Sequence, residues 1–228
     1  MREDGPLPKA RARGRPKNER AESVILHATD EILARKGYKA TTVDAIAARA
    51  GVAKATIYRR WKNKASVVID AVHATSELGD PFVDTGDFRA DFQQQLFRFV
   101  VKLRGPTGKK MRAIFSEAQN DPSLAEAFRE KIWLPGRAIT LAALEGAIAR
   151  GHLRSDVDLP VLSDAIYGAI YYRLLVGHAA LDPRFIERLV DVVLSGAMCP
   201  PSNVAAAGSG IASKAASRPR GRHPSAVR

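Results

Sequence analysis

Residues 41–64, TTVDAIAARAGVAKATIYRRWKNK, leave the chain little choice of local structure. Val43, Ile46 and Ala47 recur at helical spacing and give a short first helix one apolar face. Thr41-x-x-Asp44 has the form of a capping box at its start, and Thr42 offers a second candidate cap. Gly51 follows, where a tight turn needs backbone angles that other residues avoid. A second helix is predicted over about 53–62, with Ile57 and Trp61 one turn apart and able to pack on the first. Its outward face is then Lys54, Ala55, Thr56, Tyr58, Arg59 and Arg60. Two helices joined in this way form a helix-turn-helix, whose second helix enters the DNA major groove with short or basic groups outward.

The remaining pattern is helical throughout. A helix over about 19–36 carries Ile25, Ala28, Ile32 and Leu33 on one face and stops at Gly37. Another is predicted over about 64–78, before the turn residues of 79–87. From residue 88, Phe92, Leu96, Phe99 and Leu103 share a face, until Gly105-Pro106-Thr107-Gly108 interrupts. A short helix over 109–119 puts Met111, Ile114, Phe115 and Ala118 inward. Asp121-Pro122 restarts the helix with a cap and a first-turn proline, and the pattern runs to about Arg150 with a kink or split at Pro135-Gly136. Helices over 159–178 and 183–196 follow, each behind an aspartate that can cap it. Both are apolar on two sides. In the first, Leu162, Ile166, Ile170 and Leu174 make one stripe, and Ala165, Ala169, Tyr172 and Val176 another. Two apolar sides require two partners, either a second subunit or interior core on both. With no strand-period segment and no internal repeat, the expected class is all-α.

Charge is polarised along the chain. The net +12 is gathered at the ends: residues 1–72 hold 16 Lys and Arg against 8 Asp and Glu, residues 73–200 hold 15 against 16, and residues 201–228 hold 5 against none. That is the footprint of a nucleic-acid-binding end on a neutral body, although basic tails also aid solubility. In the arm over 1–18, Arg13-Gly14-Arg15-Pro16 matches the core of an AT-hook, where glycine lets the backbone approach an A·T-rich minor groove. A plain phosphate-binding arm accounts for Arg13 and Arg15 equally well. A looser run of the same kind spans residues 218–224 in a tail, 201–228, with the composition of a disordered segment.

From Gly37 to Lys64 the pattern G-Y-x-x-T-T-V-x-x-I-A-x-x-A-G-V-x-x-x-T-I-Y-x-x-W-x-N-K resembles the DNA-binding domain of the TetR family of transcriptional repressors. One departure is Ala53, where the pattern often has Ser, so the second helix lacks a side-chain cap worth about 1 kcal/mol. The resemblance implies an N-terminal three-helix helix-turn-helix domain over 19–72 and a C-terminal helical ligand-binding and dimerisation domain over 73–200. It implies that Thr42, Tyr58 and Lys64 hold DNA phosphates, which suits groups near helix N-termini. It also implies a homodimer through the helices over 159–178 and 183–196, reading a palindromic double-stranded operator. A small apolar or amphipathic ligand would bind among the central helices, move the fourth helix and separate the two reading heads. Phe92, Phe99, Phe115, Trp133 and Tyr171 are candidate walls, with Tyr167 and Gln119 as polar handles, although aromatics at helical spacing also serve as plain core.

Other functions have less to recommend them. His27, His73, His152, His178 and His223 are scattered without metal-ligand spacing, and no H-E-x-x-H, G-x-S-x-G or P-loop occurs. No enzyme, metal or cofactor is therefore expected. Cys199 is the single cysteine, the N-terminus lacks an apolar signal core, and no run approaches about 18 apolar residues, which together suit a cytoplasmic protein with no membrane partner. The rival readings are an architectural A·T-rich DNA-binding protein and a ligand-independent regulator or activator.

Overall fold

The structure, a computed structural model, describes residues 15–76 and 78–198. Among them the regular elements are all helical: α1 Arg15–Ala40, α2 Val43–Ala50, α3 Lys54–Tyr58, α4 Lys64–Ser76, α5 Phe88–Arg104, α6 Pro106–Ala118, α7 Pro122–Phe128, α8 Leu134–Ala149, α9 Leu159–Val176 and α10 Pro183–Ser195. A π-helical turn, Arg129–Trp133, joins α7 to α8. Arg13, Cys199 and the 201–228 tail lie outside the described residues.

Local chemistry fixes most helix ends. Asp87, Asp121, Asp158 and Asp182 each accept backbone N–H groups at the head of the helix that follows. Thr42 caps α2 through Ala45 N at 3.1 Å, whereas Thr41 is buried and donates to the Gly37 carbonyl at 2.8 Å. The capping box from Thr41 is therefore not formed. Gly51 closes α2 at φ 65°, as the turn requires.

Four boundaries differ from the sequence pattern. α1 is helical from the first described residue, Arg15, so the last four residues of the expected arm are helical. α3 is five residues long instead of about ten. It closes early because Arg60 N and Trp61 N both turn back to the Ile57 carbonyl, at 3.0 and 2.9 Å, swinging the indole into the core. α6 starts at Pro106, so Thr107-Gly108 lies inside the helix and not in the break. The break near Pro135 falls just upstream, as the π turn: Pro135 cannot donate to the Lys131 carbonyl and crowds it, so the preceding turn widens.

Two hydrophobic clusters result. The smaller joins Ile25 and Ile32 of α1, Ile46 and Ala47 of α2, Ile57, Trp61 and Val67. The larger runs from Leu33, Val68, Ile69 and Val72 through Phe88, Phe92 and Leu96 to the buried sides of α9 and α10. α1 and α4 contribute to both, so Leu33 leaves the face it was expected to share with Ile25 and enters the larger core. Lys110 of α6, only 5% exposed, pairs with Asp30 of α1, and Thr75 of α4 donates to the same carboxylate at 2.8 Å. The head is thus tied to the body through two of its own helices.

The second apolar side of α9 is uncovered. Val161, Tyr172 and Val176 are 61%, 60% and 56% exposed, and Val192 of α10 is 74% exposed. The helical run Pro122–Ala149 has the length and mean hydropathy of a membrane span, although Arg137 and Glu145 interrupt its apolar residues. It is interrupted by the π turn and packs on α4, α6 and α9.

Candidate nucleic-acid interface and ligand cavity

α3 presents the predicted reading face. Lys54, Ala55, Tyr58, Arg59 and Arg60 are exposed and Thr56 is half-buried, while Ile57 and Trp61 anchor the element from behind. The Trp61 indole N–H donates to Asp70 of α4 at 2.9 Å, which locks α3 to α4. Ala53 makes no side-chain cap.

The three cations of this face are not equivalent. Lys54 is paired with Asp44 of α2, and that hydrogen bond raises its pKa. Arg60 is paired with Glu22 of α1, and its guanidinium stands 5.8 Å from the centre of the Trp61 ring. The side chain of Arg59 has no ion-pair or hydrogen-bond partner among the described residues. It can reach for a base edge without giving up an existing bond.

Around this face lie the groups linked to phosphate. Thr42 sits exposed at the head of α2, with its hydroxyl proton still free to donate. Lys64 opens α4, which Asn63 caps through Ser66 N at 2.9 Å. Its ammonium lies 3.7 Å from the centre of the Tyr38 ring and donates to the Tyr38 carbonyl at 3.3 Å. Burial lowers the Lys64 pKa. Asp121 and Glu117 offset part of that effect, and a phosphate would add to that offset.

Tyr38 is a residue that sequence reasoning passed over. Its hydroxyl donates to Asp121 at 2.7 Å, across 83 positions of sequence. Asp121 also accepts from Ser123 N and Leu124 N at the start of α7. Burial, reinforced by Asp121, pushes the Tyr38 phenol well above its ordinary range, while the same hydrogen bond holds the Asp121 carboxyl low. One carboxylate thus ties the end of α1 to the start of α7. No local pattern announces such a pair.

Behind the head, a cavity opens between the start of the α4–α5 loop and α5, α8 and α9. Its volume is about 100 Å³. Phe99, Trp133, Tyr167 and Tyr171 line it, as four of the seven ligand candidates would require. The other three stand elsewhere. Phe92 is 1% exposed and stacks on Phe88; Phe115 packs edge-on against Phe128 and Tyr171; Gln119 is exposed and donates to its own helix at Phe115 O. Beside the Tyr167 and Tyr171 hydroxyls, the polar lining comes from Asp80, Gln95, Arg137, Thr140, Ser163 and Asp164. These are ordinary helix and loop residues in sequence, and only the packing of α5 on α8 and α9 gathers them. No cluster of His, Cys, Asp or Glu able to hold a metal occurs among the described residues.

Relatives with the same organisation are known. Residues 25–71 match the family described as "Bacterial regulatory proteins, tetR family", and residues 82–193 match "Tetracyclin repressor-like, C-terminal domain". The HTH-type transcriptional regulator YdeS of Bacillus subtilis is 37% identical over 184 residues, covering 81% of this chain and 93% of its own. The DNA-binding transcriptional repressor TetR of Mycobacteroides abscessus is 32% identical over 179 residues, 78% of this chain and 94% of its own. The crystal structure of the TetR family transcription regulator SCO0332 superposes with a TM-score of 0.67 at 35% identity, covering 79% of this chain and 99% of that one. The chain belongs to the TetR family of helix-turn-helix transcriptional regulators.

Proposed function

We propose that the chain is a homodimeric repressor that grips a palindromic operator through two copies of α3 and lets go when a small molecule enters the cavity. The observation that carries this reading is the position of the cavity beside the chain that leaves α4. Leu78 and Gly79, just past the end of that helix, are part of its wall. Lys64 stands at the other end, beside the DNA-facing groups. Thirteen helical residues span roughly 20 Å. A ligand that displaces Leu78 and Gly79 therefore acts on one end of a rigid rod whose other end sets the height and tilt of α3.

A single helix-turn-helix reads only a few base pairs, and two related by a twofold axis read half-sites about one helical turn or more apart. The uncovered side of α9, continued by Val192 of α10, supplies an apolar face for that pairing. Ligand release is then a shift between two dimer geometries, one spaced for adjacent grooves and one not. The two ties from α1 to the body, Asp30–Lys110 and Tyr38–Asp121, make α1 follow α6 and α7 in that movement.

The test is an anisotropy titration of a labelled operator duplex in the presence of small aromatic compounds that bind the free protein. The expected result is a compound that weakens operator affinity at least about tenfold. If every compound that binds the cavity leaves operator affinity unchanged, the ligand-release half of the proposal fails.

A further inference from the structure

The cavity has a polar order that the reading of a generic apolar pocket does not anticipate. Ser163, Tyr167 and Tyr171 stand at four-residue steps along α9, and all three line the cavity. Successive hydroxyl-bearing positions rise roughly 6 Å along the helix axis. Two of the three hydroxyls are unused. Ser163 is 2% exposed, and neither its hydroxyl nor that of Tyr171 has a hydrogen-bond partner among the described residues. Both face the open space of the cavity, where they remain available to whatever enters it.

The third hydroxyl is already engaged. Thr140 Oγ1 donates to the Gly136 carbonyl at 3.2 Å or to Tyr167, whose hydroxyl oxygen lies 2.9 Å away. The Tyr167 oxygen keeps acceptor capacity either way. Tyr171 keeps its proton, because burial pushes its pKa up, and remains a donor. Along one helix face the cavity therefore offers both an acceptor and a donor.

Its charges are already spent. Asp80 is paired with Lys102 at 2.7 Å, and Asp164 with Arg137. The Arg137 guanidinium also stands 5.0 Å from the centre of the Trp133 ring. An anion would find no free cation among these, and a cation would have to displace Lys102 or Arg137. A charged ligand leaves its water without full compensation. The walls, meanwhile, are rings: Phe99 packs edge-on against Tyr167 and Tyr171 at 5.5 and 6.1 Å.

We infer that the ligand is an uncharged aromatic compound of one or two rings bearing hydroxyl or carbonyl groups, aligned along α9 by Ser163, Tyr167 and Tyr171. This rests on the cavity being the effector site. It adds the chemical class of the effector and the residues that select it.

Four probes of one shape decide it by calorimetry on the full chain without DNA: a naphthalene diol, naphthalene itself, naphthoic acid as the anion and naphthylmethylamine as the cation. The diol is expected to bind about tenfold or more tightly than each of the others. Tyr171→Phe and Ser163→Ala should each weaken the diol about three- to tenfold, the loss of one hydrogen bond, while naphthalene affinity stays put. Thermal melting checks that both variants fold, and two separate hydroxyls keep the test alive if one variant does not. Either ion binding more tightly than the diol, a diol indifferent to both substitutions, or no binding by any probe would overturn the inference. Adding operator duplex afterwards separates the two readings. A diol that binds but leaves DNA in place sinks ligand release and not the ligand class; release by an ion alone does the reverse.

Discussion

On the proposed reading face, Arg59 is the cation left without a partner among the described residues, and it takes the proposed base-reading role. Lys54 and Arg60 carry the same charge but are engaged by Asp44 and Glu22 within the head. A bidentate contact to guanine discriminates by about 1–3 kcal/mol. Arg59→Ala should therefore weaken binding to the operator about tenfold or more and leave a scrambled duplex nearly unaffected. Lys64→Ala should weaken both alike and flatten the salt dependence, because a phosphate contact carries no sequence information. Equal losses on both duplexes for Arg59→Ala would remove it from base reading. The Tyr38–Asp121 tie gives a pH signature. The Asp121 carboxyl is held below its ordinary range in the folded chain, so its contribution is present above the unfolded pKa near 3.9 and is lost as pH falls below that. Asp121→Asn should lower stability at pH 7 and blunt the acid limb of a melting-temperature profile. A profile parallel to that of the parent chain would show that the tie contributes little. The exposure of Arg59 and Thr42 and the place of Lys64 at the head of α4 were legible from local spacing and from a long motif. Tyr38–Asp121 was not, since it joins residues 83 positions apart and Asp121 already had a sufficient local explanation as a helix cap.

Helix ends were read more accurately where one residue decides them than where two effects compete. The aspartate caps at 121, 158 and 182 and the left-handed Gly51 carry their instruction in a single side chain, or in the lack of one. The end of α3 depends on Trp61 being drawn inward to Asp70, which no local pattern states. The start of α6 was misplaced because Gly108 was taken as a breaker. Its reason is contact: a Cβ there would stand 1.8 Å from the Leu103 carbonyl oxygen. Gly108→Ala must push α5 and α6 apart, and a loss of about 1–3 kcal/mol is expected in urea unfolding. A neutral result would mean that the α5–α6 corner has slack. Ala53→Ser works in the opposite sense. It adds an acceptor at an extended cap position, φ −71° and ψ 144°, and should stabilise the head by roughly 0.5–1 kcal/mol.

For the whole molecule, fold class and layout were legible because periodicity survives averaging over long helices, while the cavity was legible only in part. Phe99, Trp133, Tyr167 and Tyr171 line it, but the polar set was hidden because helix packing, not spacing, brings Asp80, Thr140 and Ser163 together. Dimerisation belongs at this scale too. Val176→Asp puts a charge on the uncovered side of α9, where Val176 is 56% exposed in the single chain. It should yield a folded monomer by sedimentation with operator affinity lowered at least about a hundredfold. The most direct test of the account is selection of bound duplexes from a random pool, followed by sedimentation of the protein on the winning sequence. The account predicts one palindrome whose half-sites lie about a helical turn or more apart, with two chains bound per duplex. Recovery of no preferred sequence, or of a single half-site holding one chain, would contradict it.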